Sequence, residues 1–320
     1  MSMSLSLFAA QKINGAGATF PYPIYSKWFS EYQKTHKDVE FNYQSIGSGG
    51  GIKQVLAQTV DFGATDAPMT DEELKSAKTP IRHIPMVLGA VTVAYNVKGI
   101  ENGLKLDGET LTNIFLGKIN KWNDAAIAKL NSKIKLPASD ILVVRRSDGS
   151  GTTAVFTTFL ADSSSEWKTK VGAGKNINWP VGIGAKGNEG VTAMVSQTDG
   201  AIGYVELAYA ISSKLSTASI KNKKGEFVVA SVDSISKAAS SVKDVSGDLR
   251  ISVINADGKG VYPISSFTWI LLPQIENSPA SKEIKAFLVW ALKEGQAFTS
   301  ELHYAPLPLK MATDLAKTIK

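Results

Sequence analysis

From Ile13 onward, two patterns of apolar and polar positions alternate along the chain: short apolar runs and longer amphipathic segments. The short runs are rich in β-branched and aromatic residues, which favour strands, whereas the longer segments have helical spacing. We predict strands at residues 39–45, 61–64, 91–95, 141–146 and 201–205. We predict helices at residues 23–34, 52–58, 71–77, 110–116, 125–130 and 152–160. Strands that alternate with helices are typical of an α/β sheet protein.

Capping residues mark several of the predicted helix ends. Thr70 followed by Glu73 has the spacing of a capping box, in which each side chain binds a backbone N–H of the other. Ser278 before Pro279 predicts an N-cap with proline at the first helical position. The helix that begins there would end at Gly295, because glycine readily takes the conformation that closes a helix.

The length and apolar content of the chain predict two lobes. The chain has 320 residues, of which 43% are hydrophobic. A chain of this length is usually divided between more than one hydrophobic core. No proline-rich or charged linker divides it, so the chain would cross between lobes in strands near residues 85–93 and 261–272. We expect one lobe to comprise residues 11–85 and 262–320 and the other to comprise residues 86–261.

Composition excludes several classes of protein. The chain has no cysteine, which removes disulfides, thiol nucleophiles and cysteine metal sites. Its net charge is +6, but the basic residues are spread out and lack interleaved aromatic residues, which disfavours nucleic acid as a partner. No apolar run reaches the length of about 20 residues that crosses a bilayer. Residues 1–10 are apolar without a basic start, and we expect them to be either the trimmed end of a secretion signal or a remnant of cloning.

Four segments combine glycine and hydroxyl residues with a following helix, and they lie at residues 15–21, 47–51, 61–68 and 145–153. A helix N-terminus presents unpaired backbone N–H groups and the positive end of the helix dipole. Both features favour a negatively charged ligand. Each segment alone is a weak signal, but the four together predict an anion-binding site.

Nucleotide-binding and hydrolase motifs are missing from the sequence. Phe20 and Ile52 stand where a dinucleotide fingerprint needs its third glycine, and no P-loop sequence occurs. No Gly-x-Ser-x-Gly nucleophile elbow occurs either. The three histidines, His36, His83 and His303, lack the i, i+4 spacing of a metal site, and we expect surface or packing roles for them. We therefore predict no catalytic residue and no metal.

The remaining expectation is that the protein binds a small anion without catalysing a reaction on it. Arg146 would supply a forked, charged donor, and Asp148 would orient it through a salt bridge. Asp66, at a strand end, would face the anion as an acceptor, which suits phosphate because phosphate carries a proton at neutral pH and sulfate does not. Further donors would be the hydroxyl groups of Thr19, Ser48, Ser150 and Thr152.

Five stretches carry a resemblance to a known family: residues 15–21 (GAGATFP), 60–68 (VDFGATDAP), 116–124 (LGKINKWND), 144–152 (VRRSDGSGT) and 200–206 (GAIGYVE). In this order they resemble the phosphate-binding proteins of bacterial Pst-type ABC transporters, and the likeness covers nearly the whole chain. The resemblance implies a two-lobed type II periplasmic-binding fold. In that fold two α/β domains are joined by two crossing strands, and the ligand cleft lies between them.

The resemblance also implies a role and a set of contacts. The protein would bind inorganic phosphate in the periplasm as a monomer, close over it by a hinge, and deliver it to a membrane-embedded permease without any cofactor. The chain departs from many relatives at Gly49, where they carry serine, and at Thr65. Carried over position by position, the implied contacts are Thr19, Phe20 through its backbone N–H, Ser48, Asp66, Arg146, Asp148, Ser150, Gly151 and Thr152.

Three alternatives stay open at this point. A phosphatase or phosphoryl-transfer enzyme would use Asp66 or Asp148 as its nucleophile, but the missing base, metal cluster and nucleotide loop count against it. A receptor for sulfate or molybdate is disfavoured by Asp66, whereas arsenate resembles phosphate in both proton and size. A sensing or adhesive role for a phosphate-binding scaffold also fits the sequence.

Overall fold

A computed structural model describes residues 10–242, 247–275 and 278–319 of the chain. The expected remnant of a secretion signal lies outside the described residues except for Ala10. Within the described ranges, no helix is both long enough and apolar enough to span a membrane.

The chain begins with three strands, each followed by a helix, and then enters a long fourth strand. These elements are β1 (Gln11–Gly17), α1 (Tyr22–Thr35), β2 (Val39–Ser45), α2 (Ser48–Ala57), β3 (Phe62–Thr65), α3 (Asp71–Lys75) and β4 (Ile81–Asn96). Strand β1 pairs in parallel with both β2 and β3. The carboxyl ends of the three strands therefore meet at one edge of the sheet, which is where ligands bind in open α/β sheets.

The middle of the chain builds a second set of strands and helices. They are β5 (Lys105–Leu106), α4 (Gly108–Phe115), α5 (Ala125–Leu130), β6 (Leu142–Arg146), α6 (Gly151–Ser163), α7 (Ser165–Lys170), β7 (Ile183–Ala185), α8 (Gly187–Gln197), β8 (Ala201–Glu206), α9 (Leu207–Ser212), β9 (Ser216–Thr217), β10 (Ser219–Lys221), β11 (Phe227–Val228) and α10 (Val232–Ala239). Strand β6 pairs in parallel with β7 and β8. The carboxyl ends of these three strands therefore lie together at one edge of the sheet. Strands β5, β10 and β11 form a separate small sheet.

The chain then returns to its first set of strands. The returning elements are β12 (Ser265–Pro273), α11 (Pro279–Lys293), two 3-10 turns (Gly295–Phe298 and Ser300–Leu302) and α12 (Leu309–Thr318). We call β1 to β3, β12 and helices α1 to α3, α11 and α12 the first half, and β5 to β11 and α4 to α10 the second half, each with its loops.

Strand β4 joins the two halves without a break. Its residues from Ile81 to Ala90 pair with β12, and its residues from Val91 to Asn96 pair with β8, antiparallel in both cases. The large sheet therefore runs continuously in the order β2-β1-β3-β12-β4-β8-β6-β7, with β9 beside β4. The strand predicted at residues 91–95 is only the last part of this 16-residue strand.

Each half has its own aromatic packing. In the first half, the rings of Phe29 and Phe41 stack with centroids 4.8 Å apart. In the second half, Phe156 and Tyr204 stack at 4.4 Å. Such pairs stabilise a core beyond the area that they bury. These packed cores keep the strand ends in fixed positions, and the ligand-facing loops start from those ends.

Two predicted helix starts are confirmed, and one is wrong. Thr70 and Glu73 form the expected capping box, and Ser278 accepts a hydrogen bond from the N–H of Ser281 at the start of α11. Helix α2, however, begins at Ser48 and not at the predicted residue 52. Gly47 precedes it with a φ of 87°, a conformation that favours glycine, and this lets the glycine-rich loop form the first helical turn.

Candidate functional site

The predicted ligand contacts lie together in a buried cluster where the two halves meet. Loops after β1, β2 and β3 supply residues from the first half, and β6 with its following loop and α6 supplies residues from the second half. Asp66 is 2% exposed and Arg146 is 3% exposed, although charged side chains are seldom buried without partners. Also buried are Thr19, Phe20, Ser48, Ser150, Gly151 and Thr152.

Asp148 holds the guanidinium group of Arg146, as the sequence predicted. The Nε of Arg146 donates to Oδ1 of Asp148 at 2.7 Å, and Nη2 donates to Oδ2 at 2.5 Å. Burial alone would raise the pKa of Asp148, but the bonds from Arg146 outweigh it and leave the pKa below its usual value. The remaining nitrogen, Nη1, lies 3.4 Å from the hydroxyl oxygen of Thr152. Asp148 therefore holds the guanidinium group of Arg146 in one orientation, with Nη1 beside Thr152.

Asp66 is the carboxylate on the other side of the cluster. Its Oδ1 accepts a hydrogen bond of 2.9 Å from the hydroxyl of Thr268, and its backbone N–H donates to Oγ of Ser48 at 3.2 Å. Burial raises the pKa of Asp66 from 3.8 to about 7, against the lowering effects of Thr268 and Arg146. A carboxyl group with this pKa can gain or release a proton near neutral pH.

The two halves touch at this point. A Cβ atom added to Gly151 would lie 2.4 Å from Oγ of Ser48 and 2.7 Å from Oδ2 of Asp66, so glycine is required for the close approach. Nearby, the N–H of Gly49 donates to the carbonyl of Gly149 at 2.8 Å across the same boundary. The two halves are thus in direct contact at this cluster.

Backbone donors point to the cluster from helix α6 and from the turn after β1. Ser150 caps α6 by accepting a hydrogen bond from the N–H of Thr153 at 3.0 Å. Among the described residues, no hydrogen bond is donated by the N–H groups of Phe20, Gly151 and Thr152. Unpaired N–H groups in a buried place favour an anionic partner.

Two buried residues of the cluster were missed by sequence reasoning. Asn188, the second residue of α8, contacts both Thr19 and Thr152, and Thr268 of β12 binds Asp66. Asn188 follows a strand and Gly187, which is the same strand, glycine and helix pattern that marked the other segments. Thr268 has no such local signal, because it is 202 residues from its partner.

Glu206 is a second buried carboxyl group beside the cluster. Its Oε2 accepts hydrogen bonds from the N–H of Ala208 at 2.7 Å and from the hydroxyl of Tyr304 at 3.2 Å. Burial raises the pKa of Glu206 well above its usual value, and the nearby charge of Asp66 raises it further. Burial therefore disfavours the charged form of Glu206.

Groups that support hydrolysis or metal binding do not gather at this place. Nε2 of His83 accepts a hydrogen bond from the N–H of Met69, and burial lowers the pKa of His83 to about 4. No set of three or more His, Cys, Asp or Glu side chains within the described ranges could hold a metal ion. The cluster thus combines hydroxyl groups and the guanidinium group of Arg146 with the buried carboxyl group of Asp66, and this arrangement can hold an oxyanion.

Comparisons with known proteins agree with this architecture. Residues 6–294 match the family model described as a PBP superfamily domain. The chain is 48% identical to the phosphate-binding protein PstS of Pasteurella multocida strain Pm70, with 93% of this chain and 87% of the relative covered. It is 44% identical to PstS of Haemophilus influenzae strain KW20, with 99% and 94% covered. A solved high affinity periplasmic phosphate-binding protein with bound phosphate aligns at a TM-score of 0.76 and 20% identity, with 96% and 94% covered.

A chain in which two α/β halves share a long strand and meet at a buried polar cluster has the type II periplasmic-binding fold, which confirms the fold expected from the sequence. The chain belongs to the PstS family, the phosphate-binding components of Pst-type ABC transporters. Members of this family are named as binding proteins and not as enzymes, in agreement with the prediction of no catalysis.

Proposed function

We propose that this protein binds one inorganic phosphate ion between its two halves and delivers it to the permease of a phosphate ABC transporter. One observation carries the proposal: the buried donor Arg146 and the buried acceptor Asp66 face one shared cluster of hydroxyl and N–H donors. The names of the relatives at 48% and 44% identity support the same ligand.

The proposed contacts are the residues expected from the sequence. Arg146 supplies the charge, and Asp148 holds it in place through two hydrogen bonds. Several charge-assisted hydrogen bonds of about 1.5–3 kcal/mol each, reduced by the costs of binding, support a dissociation constant of about micromolar or better. The full set is Thr19, Phe20 through its N–H, Ser48, Asp66, Arg146, Asp148, Ser150, Gly151 and Thr152.

Asp66 is the proposed source of selectivity. Phosphate brings a proton at neutral pH, and an ionised Asp66 accepts a hydrogen bond from it. Sulfate brings no proton, so the negative charges of sulfate and of an ionised Asp66 would be buried in contact with each other, which is unfavourable. A pKa of about 7 in the closed cleft fits a proton that is shared between the carboxyl group and the ligand. Sites of this kind discriminate by a factor of about 10⁴ to 10⁵.

Closure by a hinge follows from the way in which the halves are joined. We propose lobes of residues 11–85 with 262–320 and of residues 86–261, with β4 and the segment that leads into β12 as the crossings. Support comes from β4, which pairs with strands of both halves, and from the contact of Gly151 with Asp66 across the boundary. Opening would separate that contact and expose the ion.

The proposed place of action is the periplasm, with the protein acting as a monomer and without a cofactor. The solved neighbour with a TM-score of 0.76 is named as a periplasmic phosphate-binding protein, and the PstS relatives support the same setting.

Calorimetric titration of the phosphate-stripped protein tests the proposal. Phosphate, sulfate and arsenate are added separately at neutral pH. We expect one-to-one binding of phosphate with a dissociation constant of about micromolar or below and no heat from sulfate. We expect arsenate to bind as phosphate does, since both ions carry a proton. Equal binding of phosphate and sulfate would overturn the role of Asp66, and binding of neither would overturn the proposed ligand.

A further inference from the structure

Asn188 lies between the two halves and is fully buried. It is the second residue of α8 and follows Gly187, whose positive φ of 71° lets its own N–H donate to Asp148 at 3.1 Å. The side chain of Asn188 contacts Thr19 of the first half and Thr152 of the second half. It therefore touches two proposed ligand contacts without being one of them.

The amide group of Asn188 can have only one orientation. The backbone N–H of Glu206 donates to its Oδ1 at 2.9 Å, and a backbone N–H cannot accept a hydrogen bond. The oxygen must therefore face Glu206, and the NH₂ group must face the two hydroxyls. Nδ2 donates to Oγ1 of Thr19 at 2.7 Å and to Oγ1 of Thr152 at 3.2 Å.

The oxygen of each hydroxyl already accepts two hydrogen bonds. Oγ1 of Thr19 accepts a second bond of 3.2 Å from the backbone N–H of Asn188. Oγ1 of Thr152 accepts a second bond of 3.4 Å from Nη1 of Arg146. A hydroxyl oxygen has two lone pairs, and these bonds use both. Each hydroxyl still has its own proton to donate, and neither hydroxyl donates a hydrogen bond to any of the described residues.

We propose that Asn188 is a positioning residue that fixes Thr19 and Thr152 as donors toward the ligand, and so leaves the proton of the ligand to Asp66. This inference rests on the proposed function, because it deepens the selectivity of the same site. Two hydroxyls whose lone pairs are already used can donate to the oxygens of the ligand but cannot accept the proton that the ligand carries. The protonated oxygen of phosphate is then directed to the carboxyl group of Asp66, which is the acceptor on the opposite side.

The test is a cycle of variants in which phosphate affinity is measured by calorimetry. Asn188→Ala removes the NH₂ group, so the hydroxyls are free to turn away. We expect its dissociation constant to rise by about tenfold or more, as is typical when a buried hydrogen-bond network is broken. In a Thr19→Val, Thr152→Val background, Asn188→Ala should change the dissociation constant by less than about threefold, since nothing is left to orient.

The control is Asn131→Ala. Asn131 is also a buried amide, and it binds the backbone of Lys105 and Ile127 far from the cluster. We expect the phosphate affinity of this variant to stay within about twofold of that of the unaltered protein, because the effect of truncating a distant side chain is independent of ligand binding. An equal loss in both asparagine variants would mean that only general stability had changed, and this would overturn the inference.

Asn188→Asp provides a second variant if the alanine variant does not fold. It keeps the size of the side chain and the bond from Glu206, and an acidic residue in the first turn favours a helix. Its carboxylate would attract the two hydroxyl protons, so we expect a loss of about 100-fold that shrinks in the double valine background. An equal loss in both backgrounds, or no loss at all, would overturn the inference. A chain that bound no phosphate even without substitutions would instead overturn the proposed function.

Discussion

Gly151 of the second half packs directly against Asp66 of the first half, and a Cβ atom added to it would lie 2.7 Å from the carboxylate. Because this contact exists only when the halves meet, we predict that Gly151→Ala hinders closure. Overpacking of about 1–3 kcal/mol corresponds to a rise of about 5–150-fold in the dissociation constant for phosphate. Calorimetric titration measures that rise directly.

Gly174→Ala is the matched control for this substitution. Gly174 also lies in the second half, and the nearest atom to an added Cβ would be 3.6 Å away, which is an ordinary contact. The ligand-free melting temperature of both variants should stay near that of the unaltered protein, because the open form has room at either glycine. A Gly151→Ala variant with unchanged affinity would contradict the closed geometry as the binding state.

A second prediction concerns the Arg146 and Asp148 pair. Arg146→Ala should weaken phosphate binding by more than about 2 kcal/mol, or about 30-fold, since it removes a forked charged donor. It should also destabilise the ligand-free protein, because Asp148 would be left partly buried without its cation. Thermal unfolding and calorimetry measure the two effects separately.

The double variant Arg146→Ala, Asp148→Asn separates the two effects. Removing the charge of Asp148 should restore most of the lost stability but none of the lost affinity, because the donor is still absent. Recovery of affinity together with stability would show that Arg146 acts only on the fold.

Much of this fold could be predicted because its strands and helices have clear local patterns. Strand β2 alternates buried or partly buried positions with exposed ones, and its predicted bounds, residues 39–45, are those observed. Residues 81–84 of β4 lie outside both the predicted crossing segment, residues 85–93, and the predicted strand, residues 91–95. Pro85 is accommodated where the register with β12 shifts, between Thr268 and Trp269, so the missing N–H of proline costs little there.

Some contacts in the candidate site could likewise be predicted from the sequence, and others could not. Arg146 and Asp148 are two residues apart and their salt bridge could be predicted from that spacing alone. The bond between Thr268 and Asp66 could not, because it depends on β12 lying beside β3 in the sheet, and no local pattern reports that pairing. Sequence reasoning thus found donors that precede helices, and it missed the residues that orient them from other strands.

A third prediction uses the pKa of Asp66. In the closed cleft burial raises the pKa of Asp66 to about 7, whereas in an open, hydrated cleft a carboxyl group has a pKa of about 3.9. Closure around sulfate therefore requires uptake of a proton between these pH values. We expect sulfate affinity to be lowest above pH 7 and to rise by up to about tenfold for each unit of pH that is lost toward pH 4.

Asp66→Asn is the control for the pH dependence. Its amide is neutral at every pH, so the variant should bind sulfate more tightly than the unaltered protein at pH 8 and should show no rise on acidification. Circular dichroism at each pH verifies that the chain stays folded. Sulfate binding that stayed absent in the variant, or that rose with acid in both proteins, would contradict the assignment of selectivity to Asp66.

The last prediction concerns an ion pair between the halves, in which Nζ of Lys175 lies 2.9 Å from Oε2 of Glu73. Glu73 also closes the capping box of α3, so its replacement would disturb the first half as well. Lys175→Met removes the charge and keeps most of the side-chain length. Because the pair forms only in the closed state, its loss should speed release of phosphate by about 1.5–5-fold, which corresponds to about 0.2–1 kcal/mol.

Stopped-flow measurement of phosphate release at two salt concentrations tests this prediction. Salt screens a partly exposed ion pair, so release from the unaltered protein should become faster as salt is added, and release from Lys175→Met should respond less. Lys121→Met is the matched control, since Lys121 pairs with Asp140 at 2.7 Å within the second half alone. Its release rate should equal that of the unaltered protein, because a pair inside one half is the same in the open and closed states. A faster release in both variants would mean that net charge, and not the bridge between the halves, sets the rate.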